Sequence, residues 1–323
     1  MGLSRTTALV PFALAHDSRS FFAAIYSADF SGVAEIDARA NAVERIKAFP
    51  DAVEDQADGA FDGRWLVWAE YHSLTDPGDF TVWAWDSRSG QVTQIGAAIR
   101  SSNGEFWESP LRAPDALGGI ATWVQGSGPG GMTAVHVYDL RAHHGTVIRR
   151  GHTQGSFLLA RHRVGWPASP RPGRVTRMHV ASALTGKRAG VPRALRRLRG
   201  VSGLATDGHG IAYPTAAYRS IWWSPSLRRK PIKILAVRSS DHVDDSVRIG
   251  GRYVGFGIWP GVFVADTTTR RYVRVARHGG WTLLDDTALL VVFGSTRKAI
   301  HPRLLVAYVP LGRLPPLPAC ARK

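Results

Sequence analysis

The sequence contains a single cysteine, Cys320, among its 323 residues. No disulfide can therefore form within the chain, and a zinc site built from several cysteines is excluded. No apolar run approaches the roughly 20 residues that a membrane-spanning helix needs. The longest runs, such as Ala288–Phe293 and Leu304–Val309, have the length of strands. We therefore predict a globular protein without a transmembrane segment.

Acidic residues are missing from one long stretch, since none occurs between Leu140 and Thr206, where fourteen Lys or Arg are found. Residues 1–139 carry nine basic and eighteen acidic residues, a net charge of −9. Residues 140–323 carry 32 and seven, a net charge of +25. A GC-rich genome accounts for the preference of Arg over Lys but not for the missing acids. This basic protein is expected to attract an anionic partner.

Sequence motifs of catalysis are also missing. The chain has no Gly-x-Ser-x-Gly elbow, no His-Glu-x-x-His pair and no phosphate-binding loop of the Walker type. His143, His144 and His152 are close in sequence, but the first two fall in an expected hairpin turn, where solvated side chains explain them better than a metal does. We therefore predict no cofactor, no metal site and no catalytic residue.

A short apolar pattern that usually ends in a polar or turn residue recurs seven times. Its copies are Val33–Asp37, Val82–Asp86, Val135–Asp139, Met178–Ser182, Ile221–Pro225, Val262–Asp266 and Leu305–Val309. The copies are separated by 41 to 53 residues, which is about the size of a propeller blade. Each spacing leaves room for three to four antiparallel strands.

A second pattern precedes the first, in which a Gly-containing turn leads into a strand that ends in an aromatic residue, as in Asp62–Trp68 and Gly119–Trp123. Alternation with a period near two dominates the chain, and only Ala38–Lys47 and Pro192–Arg199 could form short helices. The sequence therefore predicts an all-β fold, a single β-propeller of about seven blades. Most tryptophans fall at repeat positions and are expected to pack between blades.

These repeats resemble those of TolB-like (WD40-like) bacterial propellers. The resemblance is carried by Asp62–Glu70 and by Val82–Gly90, in which a strand ending in Asp is followed by a turn. It covers roughly residues 20–312 and implies a propeller; members are often exported scaffolds for protein contacts or propeller domains attached to hydrolases. Ser182, Pro225 and Val309 depart from the pattern, because Asp is expected there.

The two ends of the chain allow different interpretations. Residues 1–15 read either as a first strand or as a vestigial signal, because the apolar run Ala8–Ala15 ends in Ala-x-Ala. A strand would fit a cytoplasmic protein, whereas the family resemblance implies export to the cell envelope. Residues 313–323 form a Pro-rich tail. We predict that residues 1–323 make up a single domain.

Two groups of residues are the candidates for ligand binding. Acidic and aromatic residues in loops that enter blades could face a central funnel: Glu105, Trp107, Glu108, His242, Asp244 and Asp245. Basic residues of the acid-free stretch could hold an anionic partner: Arg171, Arg174, Arg177, Arg196 and Arg197. Aromatic residues are missing from Pro167–Arg199, which argues against nucleic-acid recognition by base stacking or sequence.

We therefore predict a non-catalytic binding or scaffold protein for a protein or anionic polymer partner. The alternative is a propeller hydrolase or lyase that uses carboxylates of the central funnel. The loop acids distinguish the two functions, since catalysis requires them to converge in one cavity.

Overall fold

The computed structural model describes residues 8–17, 19–51, 56–73, 78–107, 109, 112–153, 155–160, 162–169, 177–196, 198, 203–215, 218–237, 243, 247–258, 261–277, 280–294 and 304–313. The chain divides into two compact units. The first comprises residues 1–15 and 20–191, and the second comprises residues 16–19 and 192–323. Among the described residues no helix is both long and apolar enough to cross a lipid bilayer.

The described strands of the first unit form four antiparallel meanders, which we call blades one to four. They are β1 (Ala8–Leu14), β2 (Ser20–Tyr26), β3 (Ser31–Asp37) and β4 (Ala42–Ala48); β5 (Gln56–Phe61), β6 (Trp65–Tyr71), β7 (Phe80–Asp86) and β8 (Val92–Ala97); β9 (Asp115–Leu117), β10 (Ile120–Gly128), β11 (Met132–Asp139) and β12 (His144–Thr153); and β13 (Phe157–Ala160), β14 (Arg163–Ser169) and β15 (Arg177–Ser182). Residues 8–14 thus form the first strand of blade one.

The second unit contains blades five to seven. Their described strands are β16 (Ala205–Thr206), β17 (Ile211–Pro214), β18 (Ser220–Ser224) and β19 (Ile232–Ala236); β20 (Arg248–Gly250), β21 (Tyr253–Ile258), β22 (Gly261–Asp266) and β23 (Arg271–Ala276); and β24 (Trp281–Leu284), β25 (Ala288–Gly294) and β26 (Leu304–Pro310). Short 3-10 turns occur at Arg193–Leu195 and Leu311–Arg313. The Pro-rich tail from residue 314 onward lies outside the described residues.

The predicted repeat corresponds to the third strand of every blade, from β3 to β26. The fold is therefore an all-β propeller, as the spacing predicts. The seventh copy is shifted by one residue, since Pro310 rather than Val309 stands opposite the start of its neighbouring strand. The interpretation of Ala38–Lys47 as a short helix is wrong, because Ala42–Ala48 forms strand β4 and pairs with β3.

The Asp that ends the repeat caps the turn after it. In blade one, Asp37 Oδ1 accepts hydrogen bonds from the backbone N–H groups of Arg39 and Ala40, at 2.8 and 2.7 Å. Asp86 receives Arg88 N–H in the same way and also forms a two-point ion pair with the Arg64 guanidinium, at 2.9 and 2.6 Å. The hydrogen bond from Arg64 lowers the pKa of Asp86 to about 2. Turn formation therefore explains why the repeat favours Asp.

Blades three and four are joined into one seven-stranded sheet. The last two residues of β12 continue past blade three and pair with β14, His152 opposite Ser169 and Thr153 opposite Ala168. Buried hydroxyl groups support this junction, because Thr153 Oγ1 donates to the carbonyl of Pro167 at 2.6 Å and Thr133 Oγ1 accepts from Thr153 N–H at 3.0 Å. This strand pairing fixes the position of blade three relative to blade four.

The hydrophobic core is divided into clusters between neighbouring blades. Between blades one and two, Phe22 and Trp68 pack with Trp85, and the Phe22 and Trp85 rings meet edge to face with centroids 5.9 Å apart. Further clusters lie between blades two and three, three and four, five and six, and six and seven. The predicted role of the repeat tryptophans in packing is confirmed for Trp65, Trp68, Trp85, Trp123 and Trp166, all of which are buried.

We expect Trp68→Ala to lower the free energy of unfolding by about 3–5 kcal/mol, because the indole is completely buried and its removal leaves a cavity. Trp107→Ala, which changes a partly exposed indole in a loop, is the control and should cost less. Urea unfolding of both variants measures the difference. Equal losses would contradict the assignment of Trp68 to the core between blades.

Candidate anion-binding site

One pair of residues recurs at the centre of five blades. The middle of the second strand and the middle of the third strand face each other with two rings: Trp68 and Trp83, Trp123 and His136, Trp166 and His179, Tyr213 and Trp222, Phe256 and Phe263. The ring planes are stacked in the pairs of blades three and four, with centroids 5.1 and 5.9 Å apart. This ring pair is thus a fixed reference point from which blades can be compared.

The fourth strand carries a β-bulge beside this ring pair. The register between third and fourth strand shifts at the same position in blades one, two, three, five and six. Just before the shift, Lys47 stands on β4, Gly96 on β8 and Arg149 on β12. A bulge re-aims the side chains next to it. These three residues are structurally equivalent. They belong to blades one, two and three, and each of these blades has a next blade in the first unit.

Between blades one and two, the equivalent position holds a neutralised cation. Lys47 Nζ lies 4.5 Å from the centre of the Trp83 ring and donates to both carboxylate oxygens of Glu70, at 3.0 and 2.8 Å. Glu70 is fully buried and stands two residues after Trp68 on the same strand. A buried charge requires such a partner. The positive charge of Lys47 at this boundary is thus neutralised by the carboxylate of Glu70.

Between blades two and three, the same position is closed by packing instead. A Cβ atom at Gly96 would come within 2.6 Å of the Trp123 ring, so only glycine permits this contact. Gln125 occupies the place of Glu70 and accepts a hydrogen bond from Trp123 Nε1 at 3.2 Å. This boundary therefore needs neither a cation nor a carboxylate.

Between blades three and four, the cation is present and the carboxylate is not. Arg149 takes the place of Lys47, His179 that of Trp83, and Ala168 that of Glu70. Ala168 stands directly opposite Arg177 at the start of β15, and Arg188 bridges to Ala181 on the far side of the same strand. Three arginines are thus associated with this boundary, and an alanine stands at the position where blade two has a buried acid.

All three arginines are close enough to His179 to affect its pKa. Burial lowers the pKa of His179, and the positive charges of Arg149, Arg188 and Arg177 lower it further. Burial likewise lowers the pKa of His136 in blade three to about 4, with a smaller effect from Arg150. Both imidazoles are therefore neutral at pH 7, and the positive charge of the site comes from its arginines.

The three arginines around His179 are exposed to solvent. Within the described part of the chain, none of them forms an ion pair, whereas Lys47 and Arg64 each do. Guanidinium groups bind carboxylate, sulfate and phosphate through two parallel hydrogen bonds. Arg149, Arg177, Arg188 and His179 can thus receive an anionic group, and we call these four residues the basic cluster.

The predicted basic residues are only partly covered by this cluster. Arg177 belongs to it, and Arg196 is exposed in the second unit. Arg171, Arg174 and Arg197 lie outside the described residues. Arg149 was missed as a site residue although it lies in the acid-free stretch, because the candidates were taken from its later part, from Arg171 onward. Its alignment with Lys47 in the repeat was the signal that could have identified it.

Of the predicted funnel residues, Glu105 and Trp107 are described. The Glu105 carboxylate accepts a hydrogen bond from Asn103 Nδ2 at 3.0 Å, and its carbonyl accepts from Ser101 N–H at 2.7 Å, so both of these groups are engaged within their own turn. Trp107 N–H donates to the carbonyl of Ile99 at 3.1 Å. Glu108, His242, Asp244 and Asp245 lie outside the described residues, and their convergence stays a prediction.

No family model and no curated protein matches this sequence. The structure is similar to solved propellers. One is the β-propeller domain of the Trilobed protease from Pyrococcus furiosus, with a TM-score of 0.61, 10% identity and 94% of each chain covered. Another is a prolyl endopeptidase, with a TM-score of 0.62 and 15% identity, of which this chain spans only 46% while 93% of its own length is covered.

An oligogalacturonate lyase in complex with manganese is similar over most of its length, with a TM-score of 0.59, 13% identity and coverage of 95% of this chain and 91% of the lyase. At such low identities these similarities establish the all-β propeller fold and nothing more specific. The TolB-like resemblance stays a prediction.

The lowered pKa of His136 makes stability depend on pH. Well above pH 6.5, the ordinary pKa of histidine, both the folded and the unfolded chain keep this imidazole neutral. As the pH falls from 6.5 to about 4 the unfolded chain takes up the proton first, so stability decreases, by at most about 3 kcal/mol. His136→Phe should flatten this decrease, since Phe263 shows that a phenyl ring suits the position. The exposed His144→Phe is the control, and urea midpoints at pH 8, 6, 5 and 4 give the comparison.

A decrease that is unchanged in His136→Phe would contradict the assignment. Part of the decrease should remain in this variant, because His179 also has a lowered pKa.

Proposed function

We propose that this propeller is a non-catalytic binding module for an anionic partner, held by the basic cluster of blades three and four. The observation that carries the proposal is the difference between equivalent blade boundaries. Glu70 neutralises Lys47 at the first boundary, and Ala168 leaves Arg149 without an acid at the third. An external carboxylate, sulfate or phosphate group takes the place of the missing side chain.

The charge distribution of the sequence supports a polymer or an acidic protein surface rather than a small anion. Residues 140–206 contain no acid, so basic residues beyond the cluster extend the attractive field along the chain. Arg171, Arg174, Arg196 and Arg197 are the proposed additional contacts. Such binding weakens as the salt concentration rises, because exposed charges are screened.

A propeller hydrolase or lyase is the second candidate. The presence of an oligogalacturonate lyase and of hydrolases such as puromycin hydrolase among the structural neighbours favours it. The reaction would require carboxylates to converge in one cavity, with Glu105, Glu108, Asp244 and Asp245 as the proposed members. The hydrogen bond between Asn103 and the Glu105 carboxylate supports a structural role for that acid instead.

We expect the triple variant Arg149→Ser, Arg177→Ser, Arg188→Ser to elute from a heparin resin at clearly lower salt than the wild type. The control triple variant Arg39→Ser, Arg45→Ser, Arg88→Ser removes the same charge from exposed sites in blades one and two of the same unit. It should elute near the wild type if the cluster rather than net charge determines retention. Equal shifts for both triple variants would contradict the proposed site.

A single substitution can restore the acid that the repeat lacks. Ala168→Glu places a carboxylate where blade two has Glu70, directly opposite Arg177. The introduced carboxylate should neutralise the cluster and weaken binding of a fluorescent sulfated oligosaccharide by about tenfold, as expected for the loss of a charge-assisted contact. The control Ala97→Glu adds the same charge to β8. Fluorescence anisotropy measures both, and equal effects would refute a specific site.

A further inference from the structure

Three potential metal ligands meet in the second unit. His16, which is grouped with this unit, lies beside Asp285 and Asp286 in the turn between β24 and β25. His16 Nδ1 is 3.5 Å from Asp285 Oδ2 and 3.5 Å from Asp286 Oδ1, and all three ligand atoms lie within 4.8 Å of one another. The cluster comes from distant parts of the sequence, and sequence analysis predicts no metal site.

The two oxygens of Asp285 have different environments. Oδ1 accepts three hydrogen bonds, from Thr287 N–H at 2.7 Å, Thr287 Oγ1 at 2.8 Å and Ala288 N–H at 2.7 Å. Oδ2 is buried, accepts no hydrogen bond from the described residues and faces His16. The side chain of Asp285 is only 5% exposed. A buried carboxylate oxygen without a donor is costly unless another positive group satisfies it.

The corresponding turn of blade two shows what this oxygen normally does. Asp62 also caps its turn through Oδ1, which accepts from Arg64 and Trp65 N–H, but its Oδ2 accepts a backbone hydrogen bond from Gly119 at 2.7 Å. At Asp285 the group that faces Oδ2 is an imidazole nitrogen, too distant for a good hydrogen bond. A second carboxylate stands at the same distance from that nitrogen.

The two separations of 3.5 Å from His16 Nδ1 are close to those expected of ligands that share a metal ion. Metal–ligand bonds of about 2.0–2.2 Å in a tetrahedral site place neighbouring ligand atoms about 3.4 Å apart. One imidazole and two carboxylates form a donor set for a transition-metal dication such as Zn²⁺ rather than for Ca²⁺, which prefers oxygen ligands alone. Asp286 is 70% exposed, so water can complete the coordination.

We propose that His16, Asp285 and Asp286 bind one divalent transition-metal ion. The ion satisfies the buried oxygen of Asp285 and connects His16 to the turn between β24 and β25. This site is independent of the basic cluster, which belongs to the first unit.

Isothermal titration of the chelator-treated full chain with ZnCl₂ tests the proposal. The variants are Asp286→Asn and His16→Asn, because Asp286 is exposed and Asn tolerates the left-handed backbone of His16, φ 57°. Asp285 is left unchanged because its Oδ1 holds the turn. His209→Asn, at an exposed histidine in another turn of the same unit, is the matched control.

The wild type and His209→Asn should bind one Zn²⁺ with the same affinity. Both site variants should bind it at least about tenfold more weakly, since even the loss of an outer-shell partner costs that much. Chelation should also lower the thermal unfolding midpoint of the wild type but not of Asp286→Asn. Absence of a one-to-one component in the wild type, equal affinity in the site variants, or tighter binding of Ca²⁺ than of Zn²⁺ would overturn the proposal.

Discussion

The packing of each fourth strand against the ring pair of the next blade is the constraint on which the first unit depends. The residue before the bulge lies over the Trp83 ring in β4 and against the Trp123 ring in β8, and in β12 it carries a charge that acts on His179. The space there is narrow, and the residue is a lysine, a glycine or an arginine. The partner in the next blade differs accordingly. Lys47 is paired with the buried carboxylate of Glu70, and Gly96 packs against the Trp123 indole. At the boundary of Arg149, Ala168 stands at the position of Glu70.

Differences between equivalent positions of the blades therefore indicate a binding site more specifically than the similarity to other propellers does. The solved propellers that resemble this chain include proteases and a lyase, and at identities of 10–15% they share only its fold. Comparison of one blade with the next, in contrast, holds fold and register constant. The boundary of blades three and four then stands out because it keeps the cation of the repeat and omits its counter-charge.

The sequence predicts the architecture well because its signals are local. A short, mostly apolar strand that ends in a turn-capping Asp can be recognised without any partner, as β7 and β22 illustrate. Strand β4 could not be recognised in this way, because its mixture of apolar and charged residues also suits a short helix, and only its pairing with β3 decides between them. Local pattern and tertiary pairing compete in such segments.

The candidate sites could not be predicted from the sequence, because they too depend on tertiary contacts rather than on local pattern. Arg149 acts on His179 across a blade boundary, and His16 lies beside a turn near the other end of the chain. The acid-free stretch contains both Arg177 and Arg149, but charge along the chain does not show which side chains lie close together. Register, which only the fold determines, supplies that information.

The backbone ladder between β12 and β14 gives blades three and four a property that separate meanders do not have. Elsewhere in the first unit the described blades touch through side chains, which can slide or separate while each sheet stays intact. Here the amide protons of His152 and Thr153 belong to a sheet that crosses the boundary. We therefore expect the two blades to open as a single cooperative element, in which the slowest-exchanging amides share one opening event. A ligand held at the basic cluster would be held by this element as a whole.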